Sequence, residues 1–140
     1  MKNKETVLPA PVLIVEDEAM IRSRLDLILS ELGYSQDMLI FAKNLAEAMQ
    51  IIASQPISLA LVDLGLPDGN GITLIEKLRG IDESALILVI SAWSTQQSLF
   101  ASIKAGANGY VLKERDDAEV LMSIRSILRG GAPIDPFIAR

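Results

Sequence analysis

Five short apolar runs, residues 12–15, 38–41, 59–62, 86–90 and 110–112, recur along the chain. Each is continuously apolar rather than alternating. That pattern belongs to parallel strands covered by helices on both faces. Between the runs the period changes. Ile21, Leu25, Ile28, Leu29 and Leu32 follow the stripe of an amphipathic helix, which Gly33 stops. Leu45, Ala48, Met49 and Ile52 repeat it behind an Asn44 cap, with Glu47 three residues on. A third helix carries Ile72, Ile75 and Leu78 and is followed by Gly80. A fourth runs over about 95–105, opened by Ser94 with Gln97 and closed by Gly106. The last holds Val120, Ile124, Ile127 and Leu128, opened by Asp116 with Glu119 and ended by Gly130 and Gly131. Strand–helix alternation at this spacing predicts an α/β, flavodoxin-like (βα)5 doubly wound sheet of five parallel strands, in the order 2-1-3-4-5.

Residues 130–140 differ, with two glycines and two prolines within seven positions. They read as a linker following a domain over 11–129 rather than as a sixth element. Ile134, Phe137 and Ile138 are apolar for a free tail. Either they dock on the domain or they begin a segment of something longer.

Composition narrows the chemistry. The chain of 140 residues has no Cys and no His, which excludes Cys nucleophiles, disulfides, His-based triads and the usual zinc sites. With 13 basic against 18 acidic residues and no basic run, it has no footprint for gripping DNA unaided. No apolar run approaches the roughly 18 residues of a membrane span. The N-terminus, with Lys2, Lys4, Pro9 and Pro11 running into Glu16-Asp17-Glu18, does not read as a secretory signal. A cytoplasmic location is expected.

The informative polar residues sit just past the strand ends. Glu16 and Asp17 follow strand one, Asp63 strand three, Ser91 strand four and Lys113 strand five. In an open α/β sheet, ligands bind outside the carboxyl ends at the switch in strand order, here between strands one and three. Three acids meeting there repel one another and call for a cation. An oxygen-only set suits a hard ion, Mg²⁺ first. Pro67-Asp68-Gly69 has β-turn chemistry, and Asp116-Asp117 reads as helix capping.

Val-Glu-Asp-Glu after strand one, Leu-Val-Asp-Leu-Gly-Leu-Pro-Asp-Gly around Asp63, Val-Ile-Ser-Ala at Ser91 and Lys-Ala-Gly-Ala-Asn-Gly-Tyr-Val-Leu-Lys into Lys113 resemble a bacterial response-regulator receiver domain of the CheY-like kind. The segment 129–140 resembles the junction that follows the receiver in the NarL/LuxR-type branch, before a helix-turn-helix DNA-binding domain. The resemblance implies that Asp63 accepts a phosphoryl group from the phosphohistidine of a sensor histidine kinase. It implies Mg²⁺ on Asp17, Asp63 and the Gly65 carbonyl, with Glu16 reaching it through water. Lys113 pairs with Asp63 before transfer and with a phosphoryl oxygen after it. Ser91, with Ala92 beside it, binds that phosphoryl group and draws the loop inward, and Tyr110 then rotates into the vacated space. The face of helix four, strand five and helix five is remodelled, a homodimer or a released interdomain contact follows, and DNA is reached only through an output domain outside this chain. Residues 20–24 of helix one flank the site as the expected kinase-docking surface.

The sequence departs from the common pattern in having Glu16 for Asp, Ser91 for Thr and Glu114 for Pro. Trp93 and Gly65 flank the expected phosphoryl position, where Trp93 is read as hindering hydrolytic water. Two other readings compete. A receiver-like module that works without phosphate is opposed by the presence of Asp63, Asp17, Ser91 and Lys113. An Asp-nucleophile phosphatase of the haloacid-dehalogenase type carries its nucleophile after strand one and a second acid two residues on; here Gly65 stands in that second place. Dinucleotide binding fails on Glu16-Asp17-Glu18, which would repel a pyrophosphate.

Overall fold

A computed structural model of the chain describes residues 7–136 and 138; Lys2, Lys4 and Phe137 lie outside the described residues. Five strands, β1 (Val12–Val15), β2 (Leu39–Ala42), β3 (Leu59–Val62), β4 (Leu86–Ser91) and β5 (Gly109–Leu112), form one parallel sheet in the order β2-β1-β3-β4-β5. Five helices alternate with them: α1 (Ala19–Glu31), α2 (Leu45–Ser54), α3 (Gly71–Ile81), α4 (Gln96–Ala105) and α5 (Asp117–Leu128).

The sheet is apolar on both faces because helices bury both. One cluster packs Val12, Ile14, Leu61, Leu88 and Val111 against Leu25, Ile28 and Leu29 of α1 and Val120, Ile124 and Ile127 of α5. The other packs Leu13, Val15, Val62, Val89 and Leu112 against α2, α3 and α4. Successive strand residues alternate between the two clusters, as the period of two requires. This double burial explains the unbroken apolar runs.

Several boundaries differ from the periodic pattern. Met38 belongs to a short 3₁₀ turn (Gln36–Met38), and β2 begins one residue later. Thr95 rather than Ser94 caps α4, accepting the Ser98 N–H at 3.1 Å. Gly80 lies inside α3, which continues to Ile81. Asn44 and Asp116 cap as their spacing predicts, each accepting the N–H of a glutamate three residues on.

Two connections place the candidate residues. After Asp63 the chain forms a two-residue antiparallel ladder, Gly65–Leu66 with Gly69–Asn70, and enters α3 directly. Asp68 at its tip reaches back to α2, accepting the Leu45 and Ala46 N–H groups at 2.7 and 3.0 Å. Gly71, the first residue of α3, packs on the backbone of Asp63 itself. A Cβ there would lie 2.3 Å from the Asp63 carbonyl oxygen and 3.0 Å from Leu64 Cα.

The two glycines of α3 should therefore respond oppositely to alanine. Gly71→Ala forces β3 and α3 apart and should cost about 1–3 kcal/mol. Exposed Gly80 has no atom within 4 Å of an added Cβ, so Gly80→Ala should stabilise by about 0.5–1 kcal/mol through helix propensity. Urea unfolding midpoints of the two variants would test this, and equal signs would contradict it.

Candidate functional site

Parallel pairing in register sets Val15 opposite Val62, so the chain leaves β1 and β3 side by side. The ladder continues one residue further: Asp63 N–H donates to the Val15 carbonyl and Glu16 N–H to the Ala42 carbonyl, both at 3.0 Å. Glu16, Asp17 and Asp63 are thereby fixed in one crevice. One carboxylate oxygen from each lies within 4.8 Å of the others. Asp17 is exposed, whereas Glu16 and Asp63 are only 1% and 4% exposed.

Among the described residues, a single ammonium faces the buried pair. Lys113, just past β5, places Nζ 3.0 Å from Asp63 Oδ2, 2.9 Å from Glu16 Oε1 and 3.5 Å from Glu18 Oε1. Its backbone is held too, since Lys113 N–H donates to the Ser91 carbonyl at 2.8 Å. Burial pushes the Asp63 and Glu16 carboxyls above their ordinary values, and the hydrogen bonds from Lys113 offset this only in part. Burial alone would depress Lys113. Its hydrogen bonds to Glu16 and Asp63 outweigh that and leave it raised.

The donor set is three carboxylates with no nitrogen or sulfur ligand, in a crevice carrying more negative than positive charge. These residues fit a hard divalent cation such as Mg²⁺, which keeps several waters. Gly65 lies beside them: its N–H donates to Asp63 Oδ1 at 3.3 Å.

Ser91, Trp93 and Tyr110 form a second group. Buried Ser91 accepts the Trp93 N–H on Oγ at 3.0 Å, and Ala92 stands exposed between them. The Trp93 indole covers Gly65, where an added Cβ would meet the ring at 3.3 Å. Tyr110 is fully buried, and its hydroxyl donates to the Trp93 carbonyl at 2.6 Å. In this structure the ring lies inside, where an apolar cluster and a carbonyl acceptor hold it.

Three supporting residues escaped the sequence pattern. Arg24 of α1 donates to the carbonyls of Lys113 (2.8 Å) and Arg115 and pairs with Asp117, pinning the turn after β5. Its position three residues after Ile21 on the inward stripe was the available signal, and it binds the domain rather than standing free on a docking surface. Asp68 holds α2 to the loop after Asp63, a contact between elements that turn chemistry does not show. Asp135, in the segment after α5, is buried and pairs with Arg115 at 3.0 Å.

Comparison with known proteins gives a consistent answer. Residues 12–125 match the model of the response regulator receiver domain family. The chain is 35% identical over 118 residues to the transcriptional regulatory protein PhoP of Escherichia coli K12, covering 84% of this chain and 52% of PhoP. It thus spans about half the length of the curated relatives it matches. A LuxR-family two-component response regulator from Aurantimonas sp. SI85-9A1 superposes with a TM-score of 0.76 at 26% identity, covering 93% of this chain and 92% of that one. A response regulator from Burkholderia pseudomallei with a phosphorylated aspartic acid, calcium ion and citrate superposes with a TM-score of 0.71 at 26% identity, over 84% of this chain and 65% of that one. PhoP and the LuxR-family protein both match, so the similarity does not single out the NarL/LuxR-type branch. Among the described residues no helix is long and apolar enough to cross a membrane.

The raised carboxyls give a signed dependence on pH. Folded Asp63 and Glu16 keep their protons to higher pH than the unfolded chain does, so stability falls as pH rises from their ordinary values of 3.8 and 4.5 through the raised ones. The Lys113 contribution is complete at neutral pH and is lost only as pH rises above its ordinary 10.5 through the raised value. In EDTA, Asp63→Asn should be more stable than the parent at pH 7, with the advantage shrinking at pH 4. Lys113→Met should lose roughly 3–5 kcal/mol at pH 7, because two buried carboxylates lose their partner, and less at pH 4. Urea titrations at both pH values check the pair; an Asp63→Asn variant no more stable than the parent at pH 7 would contradict the account.

Proposed function

Because the chain belongs to the response regulator receiver family, we propose that it is the phosphoacceptor switch of a two-component phosphorelay, taking a phosphoryl group from a histidine kinase phosphohistidine onto Asp63. The observation that carries this reading is the buried Asp63 carboxylate held 3.0 Å from the Lys113 ammonium, inside a three-carboxylate crevice. The likeness to a relative with a phosphorylated aspartic acid supports it. On this reading 11–129 is the receiver and 130–140 the segment joining it to a transcriptional output domain. A cytoplasmic location and the NarL/LuxR-type branch belong to the same proposal. The receiver works as a signalling domain whose only chemistry is its own phosphorylation and dephosphorylation.

Asp63 needs no general base, since its ionised oxygen is the nucleophile at neutral pH. That oxygen bonds to phosphorus as the P–N bond to the kinase imidazole breaks, and the departing imidazole takes up a proton. Phosphoryl transfer depends chiefly on positioning and charge compensation. Glu16, Asp17, Asp63 and the Gly65 carbonyl would hold Mg²⁺, Glu16 through water; when bound, it supplies charge compensation to the phosphoryl oxygens. Lys113 exchanges its contact with Asp63 for a phosphoryl oxygen. The Ser91 hydroxyl, now accepting from Trp93, donates to another, and the loop bearing Ala92 and Trp93 follows it. Movement of that loop reaches Tyr110 through the Trp93 carbonyl and so reaches the α4–β5–α5 face, where dimerisation or interdomain release follows.

Incubation with Mg²⁺ and acetyl phosphate should add one phosphoryl mass to the intact chain, absent in Asp63→Asn and with EDTA. No adduct from acetyl phosphate or from a phosphorylated kinase would sink the reading in favour of a phosphate-independent module. A second expectation follows from the indole over Gly65. Trp93→Ala should open that side to water and shorten the acyl-phosphate lifetime by about tenfold, equal to about 1.4 kcal/mol of barrier. An unchanged rate of adduct loss would remove Trp93 from this role.

A further inference from the structure

Residues 133–135, after α5, lie against the domain. Gly130 ends the helix at φ +89°, and Gly131 N–H turns back to the Ser126 carbonyl at 2.8 Å. Residues 133–135 then run parallel to β5, the edge of the sheet, with Ile134 bridged to Tyr110. Tyr110 N–H donates to the Pro133 carbonyl at 2.9 Å, and Asp135 N–H donates to the Tyr110 carbonyl at 3.0 Å. The next outward donor, Leu112 N–H, goes to the Asp135 carboxylate at 3.1 Å, which also takes Arg115 Nε at 3.0 Å. Ile138, 8% exposed, joins the apolar cluster that contains Tyr110 and Leu112. Gly109 makes the approach possible: a Cβ there would meet the Pro133 carbonyl oxygen at 2.8 Å.

Two features make this more than cover for an exposed edge. The segment clamps Tyr110 by both its N–H and its carbonyl, while the phenol hydroxyl holds the Trp93 carbonyl in the loop beside Gly65. Asp135 also binds Leu112, the residue before Lys113, and Arg115, two residues after it. Thus Pro133, Ile134 and Asp135 reach toward the candidate site along two routes, through Tyr110 and Trp93 and through the residues flanking Lys113.

We propose that residues 133–135 are a switch-coupled strap, an intramolecular partner of the β5 edge whose docking favours the inward Tyr110 and the phosphoryl-bound state of the Asp63 site. The proposal rests on the phosphoacceptor reading. Linkage makes the coupling reciprocal: if docking strengthens binding at Asp63, occupation of Asp63 tightens the strap by the same factor. The position of whatever chain follows is thereby tied to the state of the site.

The test uses the full chain with Mg²⁺ and beryllofluoride as the phosphoryl mimic. Two lesions reach the strap from opposite sides: Asp135→Ala removes the latch, and Gly109→Ala wedges Pro133 outward. Thermal melts confirm that each variant folds. In the ligand-free chain, both should lose at least about tenfold amide-exchange protection at Tyr110 and Leu112. Both should bind beryllofluoride at least about fivefold more weakly, the lower end of common couplings. In the parent, beryllofluoride should raise protection at the same amides. Unchanged protection in the folded variants would show that no strap holds the edge. Lost protection with unchanged affinity would show a strap uncoupled from the site, and either result overturns the proposal. If the parent bound no beryllofluoride, the phosphoacceptor reading would fall and the coupling with it. Strap protection in the ligand-free parent would persist in that case, so the two failures are distinguishable.

Discussion

Two buried carboxylates within 4.8 Å of each other, with a third at the mouth of the crevice, are costly to bring together, and the domain is arranged around that cost. Parallel β1 and β3 leave no choice about where Glu16, Asp17 and Asp63 go, because in-register pairing delivers the ends of both strands to the same point. Burial raises Glu16 and Asp63; the Asp63 charge raises Glu16 further, and the Asp17 charge raises Asp63. The one ammonium that answers them comes from β5, two strands away from β3, so it must cross the end of β4. The chain after β4 and the turn after β5 therefore have to be held, and they are. Ser91 takes the Trp93 N–H, Lys113 N–H is tied to the Ser91 carbonyl, and Arg24 grips the Lys113 carbonyl.

Among the described residues, Lys113 is the one ammonium paired with acids of the crevice, and Glu16, Asp17, Glu18 and Asp63 outnumber it. That shortage is what makes it chemically useful. A site fully neutralised by its own side chains would have little affinity for a divalent ion, and an anionic phosphoryl donor approaching bare carboxylates would be repelled. With oxygen ligands only and the ammonium at the end of a long stem, the crevice suits a hard cation first and an anionic group second. On the proposed reading, Lys113 need only shift from one oxygen to another rather than find a new partner.

The sheet and its five helices were legible because burial on both faces writes unbroken apolar runs and separate helical stripes. The acids and Lys113 were legible because strand ends in this topology converge. Errors were of two kinds. Boundaries slipped where local chemistry offers neighbouring solutions: Ser94 and Thr95 are both competent caps, and Gly80 lies inside α3 because a single interior glycine costs a helix only about 1 kcal/mol. Tertiary contacts stayed hidden where the informative residue makes its contact far along the chain. Asp68 looks like a turn former and is one, yet it also caps α2. Asp135 sits between two prolines, the Pro/Gly-rich composition of a linker, and only its pairing with Arg115 and Leu112 shows that it is buried. Gly109 carries the same lesson in reverse, since its meaning lies in the Pro133 that the missing side chain admits.

The buried Tyr110 changes what a switch in this domain has to do. A ring waiting outside would need only a vacancy to enter. A ring already inside, bonded through its hydroxyl to the loop beside the site and through its peptide to the segment after α5, is an element under two constraints at once. Moving it breaks contacts at both ends. Tightening it requires only that the Trp93 loop settle against the acids. The smaller motion costs less in a close-packed interior. On the proposed coupling, site and sheet edge would be joined by a rigid connection that changes in strength, and a chain segment extending from that edge would sense the difference as order rather than as a large displacement.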